Sequence, residues 1–220
     1  MKRLILFIFI ILISSTKVFA AQFSDINEGT ELETAVSSLV ELGIVNGYED
    51  GTFKPEKTLS RAEACVMLNR AVAMETDSRT EIDIWYEDMF PQTDESVKWF
   101  YPSLRRLWNL DLIGGYEDRT FRPYKDISYS EYADVLLEML FYQPYIEENG
   151  FHNALKESGL LDEDLIEIES QSVTRGVAAI LLNRALEMPF LIVTSYRPSE
   201  TEYAKSEGII YKDVLSKNLQ

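Results

Sequence analysis

A nine-residue stretch, Gly47-Tyr48-Glu49-Asp50-Gly51-Thr52-Phe53-Lys54-Pro55, returns sixty-eight residues later as Gly115-Tyr116-Glu117-Asp118-Arg119-Thr120-Phe121-Arg122-Pro123. Each copy is followed at the same distance by a tetrad, Ser60-Arg61-Ala62-Glu63 and Ser128-Tyr129-Ser130-Glu131, and then by an apolar helical run. A third copy keeps only the end. There Val173-Thr174-Arg175 leads into Ile180-Leu181-Leu182-Asn183-Arg184-Ala185, an echo of Val66-Met67-Leu68-Asn69-Arg70-Ala71. Repetition of this kind restricts the fold more than any single residue, because each unit must bury its apolar face on its neighbours.

The first copy shows the unit in full. Thr30 and Glu33 form a capping box ahead of a helix on which Leu32, Ala35, Val36, Leu39 and Leu42 share one face, and Gly43 stands where a left-handed terminal residue is wanted. Gly47 and Gly51 are read as positive-φ positions, Asp50-Gly51 as a turn, and Phe53 as a plug into the core. Ser60 with Glu63, and Ser128 with Glu131, cap the next helix of each unit. Arg61 is not explained by capping, since a cation is mildly unfavourable at a helix N-terminus. It is either one half of an anion site, where free amides and a guanidinium fork converge, or the partner of one of the chain's 37 acids.

The later copies diverge. The second opens on Tyr86-Glu87-Asp88 in place of Phe23-Ser24-Asp25, carries an insertion around Pro91-Gln92-Thr93, and has an aromatic stripe (Trp99, Phe100, Leu104, Leu107, Trp108, Leu110) read mostly as core. Tyr129 replaces the arginine. The third keeps Thr174-Arg175, but Gly176-Val177 stands where Ala62-Glu63 does, and Asp162 to Ser172 replaces the glycine loop. Beyond Pro189 a short apolar run, 190–193, precedes a weak helix over 199–207 stopped by Gly208. Ile209 to Val214 looks like one more opening element; a frayed, solvated terminus is the plainer reading of the tail, and the alternative is that it folds back to cover the apolar edge of the third repeat.

The pattern of an F-x-D opening, a glycine-ended helix, G-Y-x-D-G-T-F-x-P and [ST]-R-A-E resembles the S-layer homology repeat, fully in the first copy and partially in the others. The resemblance implies an all-α fold of three helix-loop-helix repeats in a pseudo-threefold spindle, with a central bundle of one helix per repeat and grooves between repeats. The corresponding division is a signal peptide over 1–20, repeat 1 over 21–74, a linker over 75–84, repeat 2 over 85–143, a degenerate repeat 3 over 144–188 and a tail over 189–220. The resemblance further implies that the grooves bind a secondary cell-wall polysaccharide or peptidoglycan-linked glycan whose pyruvate ketal carboxylate is taken by the motif arginine. Carried onto this sequence, that makes Arg61 and Arg175 carboxylate ligands, and Asp25, Asp88, Trp99, Gly47 and Gly115 groove residues. A second reading keeps the fold as a surface scaffold that interacts with other surface proteins, its carbohydrate binding eroded, as Tyr129 and the lost third loop favour.

Charge and composition narrow the partners. Lys2 and Arg3, the apolar run Leu4 to Ile13 and the small-x-small Val18-Phe19-Ala20 read as a secretory leader. Ten apolar residues are half of the roughly 20 that a span needs, so no transmembrane span is expected in the mature chain. Cleavage removes Lys2, Arg3 and Lys17 and no acid, leaving a charge three units more negative than the −16 of the whole chain. Such a chain repels nucleic acid, and an anionic partner has to be held at a local cationic site. The lone Cys65 lies in an apolar helical run and is read as a buried structural thiol. The acidic spacing of a calcium loop is missing around Asp50, and His152 has no companion ligands, so neither a metal nor a cofactor is assigned. Nucleophile and metalloprotease motifs are missing too, and the expectation is a protein that is not an enzyme.

Overall fold

The computed structural model describes residues 23–72, 83–89, 94–160, 171–197 and 200–210. The leader over 1–20, most of the 75–84 linker and the segment replacing the third glycine loop lie outside these residues. The helices are α1 (Glu31–Glu41), α2 (Arg61–Ala71), α3 (Glu95–Lys98), α4 (Tyr101–Asn109), α5 (Tyr129–Met139), α6 (Gln143–Asn149), α7 (Phe151–Ser158) and α8 (Arg175–Leu186), with a short 3₁₀ turn at Glu87–Met89.

Local chemistry sets the helix ends. The Ser60 hydroxyl accepts from the Glu63 amide at 3.2 Å while the Glu63 carboxylate accepts from the Ser60 amide at 3.0 Å, and Ser128 with Glu131 repeats both bonds at the same distances. At α1 the box is offset: Thr30 accepts from the Glu33 amide, but Glu33 reaches past it to the Gly29 amide at 2.6 Å. Gly43 ends α1 at φ +71° and Gly159 ends α7 at φ +82°, the conformation that glycine adopts without a Cβ penalty.

Helices α2, α5 and α8 are apolar on more than one face, as central helices must be. Tyr132, fully buried, ties them together: its one hydroxyl proton is within reach of both Met67 Sδ of α2, at 3.3 Å, and Ala178 O of α8, at 3.2 Å. Burial also pushes the Cys65 thiol up to about 12, as expected of a structural thiol. Around this centre the helices pack in a cycle: α4 on α2, α7 on α5, and α1 on α8. Each repeat therefore lays its first helix on the second helix of the repeat before it, and the first repeat closes on the third.

The closure is sharpest just ahead of the central helices. The Leu59 amide donates to Val173 O, the Val173 amide to Ile127 O and the Ile127 amide to Leu59 O, each at 2.9 Å. These three residues occupy the same position in the three copies, so their bonds form a ring around the pseudo-threefold axis. All three side chains are buried.

The repeats are helical as expected, and the tail adds a two-stranded antiparallel hairpin, β1 (Pro189–Arg197) with β2 (Glu200–Ile210). This corrects the weak helix read over 199–207. The β-branched run Ile192-Val193-Thr194 offers a strand partner, and pairing such as Val193 with Tyr203 overrides the modest helical preference of the Glu, Ala and Lys residues in β2. The hairpin is moored on the third repeat and the end of α5. The Leu191 amide donates to Leu140 O at 3.0 Å, and Lys205 Nζ donates to Glu157 O at 2.8 Å while pairing with its carboxylate. Of the opening element read in 209–214, Ile209 and Ile210 end β2 and the rest lies outside the described residues.

Candidate ligand grooves between the repeats

The glycine loops are built from below by the opening elements. Both oxygens of Asp25 accept backbone amides, Phe53 at 2.8 Å and Lys54 at 2.7 Å, and Asp88 does the same for Phe121 at 2.8 Å and Arg122 at 2.6 Å. Those bonds hold Lys54 and Arg122 at φ of 59° and 56°, where a side chain is normally disfavoured. Gly51 takes the positive φ expected of it, +77°, whereas Gly47 does not. Gly47 is required for contact instead, because a Cβ there lies 2.0 Å from the Phe23 ring, as one on Gly115 lies 2.1 Å from Tyr86.

The motif arginine of each repeat does not serve its own loop. Arg61 crosses to the second repeat, where Nε donates to Phe121 O at 2.9 Å, Nη2 to Gly114 O at 2.6 Å and Nη1 to the Glu131 carboxylate at 2.9 Å. Its guanidinium is 4.5 Å from the Phe121 ring centre and the residue is 3% exposed. Arg175 repeats the geometry one step round, donating from Nε to Phe53 O at 3.0 Å and from Nη2 to Asn46 O at 3.2 Å, 4.6 Å from the Phe53 ring centre. Tyr129, the substitute in the second copy, sends its hydroxyl to Leu160 O of the third at 3.2 Å.

Two grooves result among the described residues, and apart from Trp99 and Asp111, which have no counterparts, the residues named here correspond position by position. The groove closing the third repeat on the first has a volume of ≈ 160 Å³ and includes Asn46, Glu63, Val66, Arg70, Trp99 and Arg175. The groove between the first and second repeats, ≈ 240 Å³, includes Gly114, Glu131, Asp134, Glu138 and Arg61 at the equivalent places, with Asp111 at its rim. Their charges are opposed. In the closing groove the one lining carboxylate, Glu63, is engaged by Lys57 at 2.5 Å, and Arg175 has only carbonyl acceptors among the described residues. In the other, Arg61 is neutralised by Glu131, and Glu131 also accepts from the Tyr116 hydroxyl at 2.8 Å. Burial, then the charges of Asp134, Asp111 and Glu147, push the Glu138 carboxyl up to about 6, and burial raises Asp134.

Of the residues singled out in the sequence, Arg175 and Trp99 meet in one groove, and Trp99 is 47% exposed there. Arg61 and Gly115 meet in the other. Asp25 and Asp88 lie under the loops, and Gly47 sits against Phe23. Arg70 and Glu138 went unremarked in the sequence, although aligning the two copies places one against the other as a charge reversal. Among the described residues no helix is long and apolar enough to cross a membrane.

The described residues thus form a closed ring of three helical repeats, with arginine-braced grooves at two of its joints. The S-layer homology domain profile matches residues 22–65 and 94–133, and over those residues the chain carries S-layer homology repeats. It is 24% identical over 163 residues to the Middle cell wall protein of Brevibacillus brevis, covering 73% of this chain and 15% of that protein. It is also 30% identical over 120 residues to the Surface-layer 125 kDa protein of Lysinibacillus sphaericus (54% of this chain, 9% of that one). A third relative, the Cellulosome-anchoring protein of Acetivibrio thermocellus, is 32% identical over 97 residues (44% and 21%). The chain thus spans about a fifth or less of the length of these relatives. Its place is the cell surface, in association with the wall.

Proposed function

We propose that the chain attaches non-covalently to the bacterial cell wall by holding an anionic secondary cell-wall glycan, through a pyruvate ketal carboxylate, in the groove that closes the third repeat on the first. One observation carries the reading: Arg175, braced on carbonyls and with no carboxylate partner among the described residues, shares that groove with the half-exposed Trp99. Arg175 takes the carboxylate and the Trp99 face takes the sugar ring. Arg61, Asp25, Asp88, Gly47 and Gly115 act indirectly, by fixing the loops. The role is binding rather than catalysis.

The relatives' names are consistent with attachment, since one is described as cellulosome-anchoring and others as surface-layer or cell-wall proteins. The alternative, a surface scaffold with eroded carbohydrate binding, is favoured by Tyr129, by the lost third loop and by the acid-lined groove between the first and second repeats. Sedimentation with purified cell walls separates the two. Wild-type protein is expected to co-sediment, and Arg175→Ala to lose roughly tenfold or more in affinity, the size of a charge-assisted contact of about 1.5–3 kcal/mol. Unchanged binding by Arg175→Ala, or by walls stripped of the ketal, overturns the reading.

A further inference from the structure

The correspondence between the two grooves isolates one position. Offset by the repeat length, Arg70 of α2 stands where Glu138 of α5 does, and Val66 where Asp134 does. The third equivalent, Arg184, is held in a two-pronged ion pair with Glu31 at 2.7 and 3.0 Å. Arg70 differs from both. Its Nη1 donates to Ile44 O at 3.2 Å, two residues from the Asn46 carbonyl that receives Arg175, so one short backbone segment moors both guanidiniums at the rim of one groove. Neither mooring uses up a positive charge, since both acceptors are carbonyls, and Glu63 beside them is occupied by Lys57 and Ser60. The groove therefore carries two guanidinium charges against one carboxylate that already has its own cation.

We propose that Arg70 is a second ligand for the glycan carboxylate and the residue that decides which groove accepts an anion: with arginine the closing groove is open to one, and with Glu138 in its place the groove between the first and second repeats is shut. The inference rests on the attachment reading above and adds two statements to it. Selectivity for charge comes from Arg70 as well as Arg175, and among the two described grooves only the closing one binds. The acid-lined groove is then not a weaker copy of its neighbour. Asp111, Asp134 and Glu138 line it together with an Arg61 whose charge is spent on Glu131, so an incoming carboxylate meets net repulsion.

The test is titration calorimetry of the chain with a synthetic glycoside bearing the pyruvate ketal, alongside its methyl ester as the neutral probe. Wild type is expected to bind one equivalent and to prefer the acid. Arg70→Gln is expected to weaken the acid by about tenfold and leave the ester unchanged, while Arg70→Lys retains most of the preference. A residue that merely supported the Ile44 backbone would shift both probes together, so equal loss for acid and ester overturns the proposal. So does an unaltered acid affinity in Arg70→Gln, or two equivalents bound. If Arg175→Ala still loses the acid in that case, the attachment reading stands alone; if wild type binds neither probe, both fall.

Discussion

Arg61 and Glu131 lie seventy residues apart and meet at 2.9 Å, with the arginine buried and the glutamate already serving as the capping carboxylate of α5. The pair joins a helix start in one repeat to a helix start in the next. The pairing with an acid that the sequence offered for Arg61 is present, with Glu131 as the acid. Arg175, at the same position in the third repeat, has no such partner among the described residues and is left with its charge facing the groove.

Substituting these two arginines should therefore have different consequences. Arg61→Ala takes the donor from the buried Phe121 O and the cation from a part-buried Glu131 that keeps its Ser128 and Tyr116 donors, and a loss of about 2–3 kcal/mol of unfolding free energy is expected. Arg175→Ala loses two carbonyl contacts at a half-buried site, with an expected cost of about 1–2 kcal/mol. Urea denaturation of both variants measures the difference, and equal losses would show that the buried ion pair contributes nothing special.

The loop glycines give a second test. Ala at Gly47 or Gly115 drives a methyl into the Phe23 or Tyr86 ring and should destabilise by about 1–3 kcal/mol or more. Gly114 is the internal control: nothing lies within 4 Å of its added Cβ, so Gly114→Ala should melt within a degree or two of wild type. Thermal unfolding of the three variants decides it.

Glu138 makes the fold sensitive to pH in the direction opposite to ordinary acid denaturation. Its carboxyl titrates at about 6 in the folded state against an ordinary glutamate value of 4.5, so the folded chain holds this proton longer than the unfolded one. The group consequently costs no stability below about pH 4.5 and an increasing amount as the pH rises through 6. Glu138→Gln should be more stable than wild type at pH 7 and equal to it at pH 4.5. The gain stays below about 1 kcal/mol because solvent screens the site. Denaturation midpoints at the two pH values measure it.

Removal of the tail after Met188 should lower the melting temperature by several degrees, as for a loss of about 1–2 kcal/mol in a domain of this size. The hairpin buries its own Leu191, 7% exposed, and engages Leu140 O at the end of α5 and Glu157 of α7. An unchanged melting temperature would show that the hairpin is a passenger.

The caps, the glycine helix ends and the repeat count were legible because each depends on residues close in sequence: Ser60 with Glu63, Ser128 with Glu131, Gly43 after Leu42. The site was legible only in its residue types. Arg61 and its nearest glycine loop look like one unit on paper, yet the chain crosses them, and nothing local to Ser60-Arg61 says that its acceptors are Gly114 and Phe121. Gly47 shows the same limit, since the ring that excludes a side chain there belongs to Phe23. The hairpin was missed because Glu200 to Glu207 reads as helix until the partner strand 191–197 is supplied.

The ring through Leu59, Val173 and Ile127 has an implication for how such chains evolve. In an open array each unit leaves a donor and an acceptor for the next, and copies can be gained or lost at either end. Here each of the three amides already has its carbonyl and each carbonyl its amide. A fourth unit finds no vacancy and a deleted one leaves two polar groups stranded. Growth or shrinkage by single repeats is therefore disfavoured, and the closed triplet is the quantum in which this module can be duplicated or transplanted.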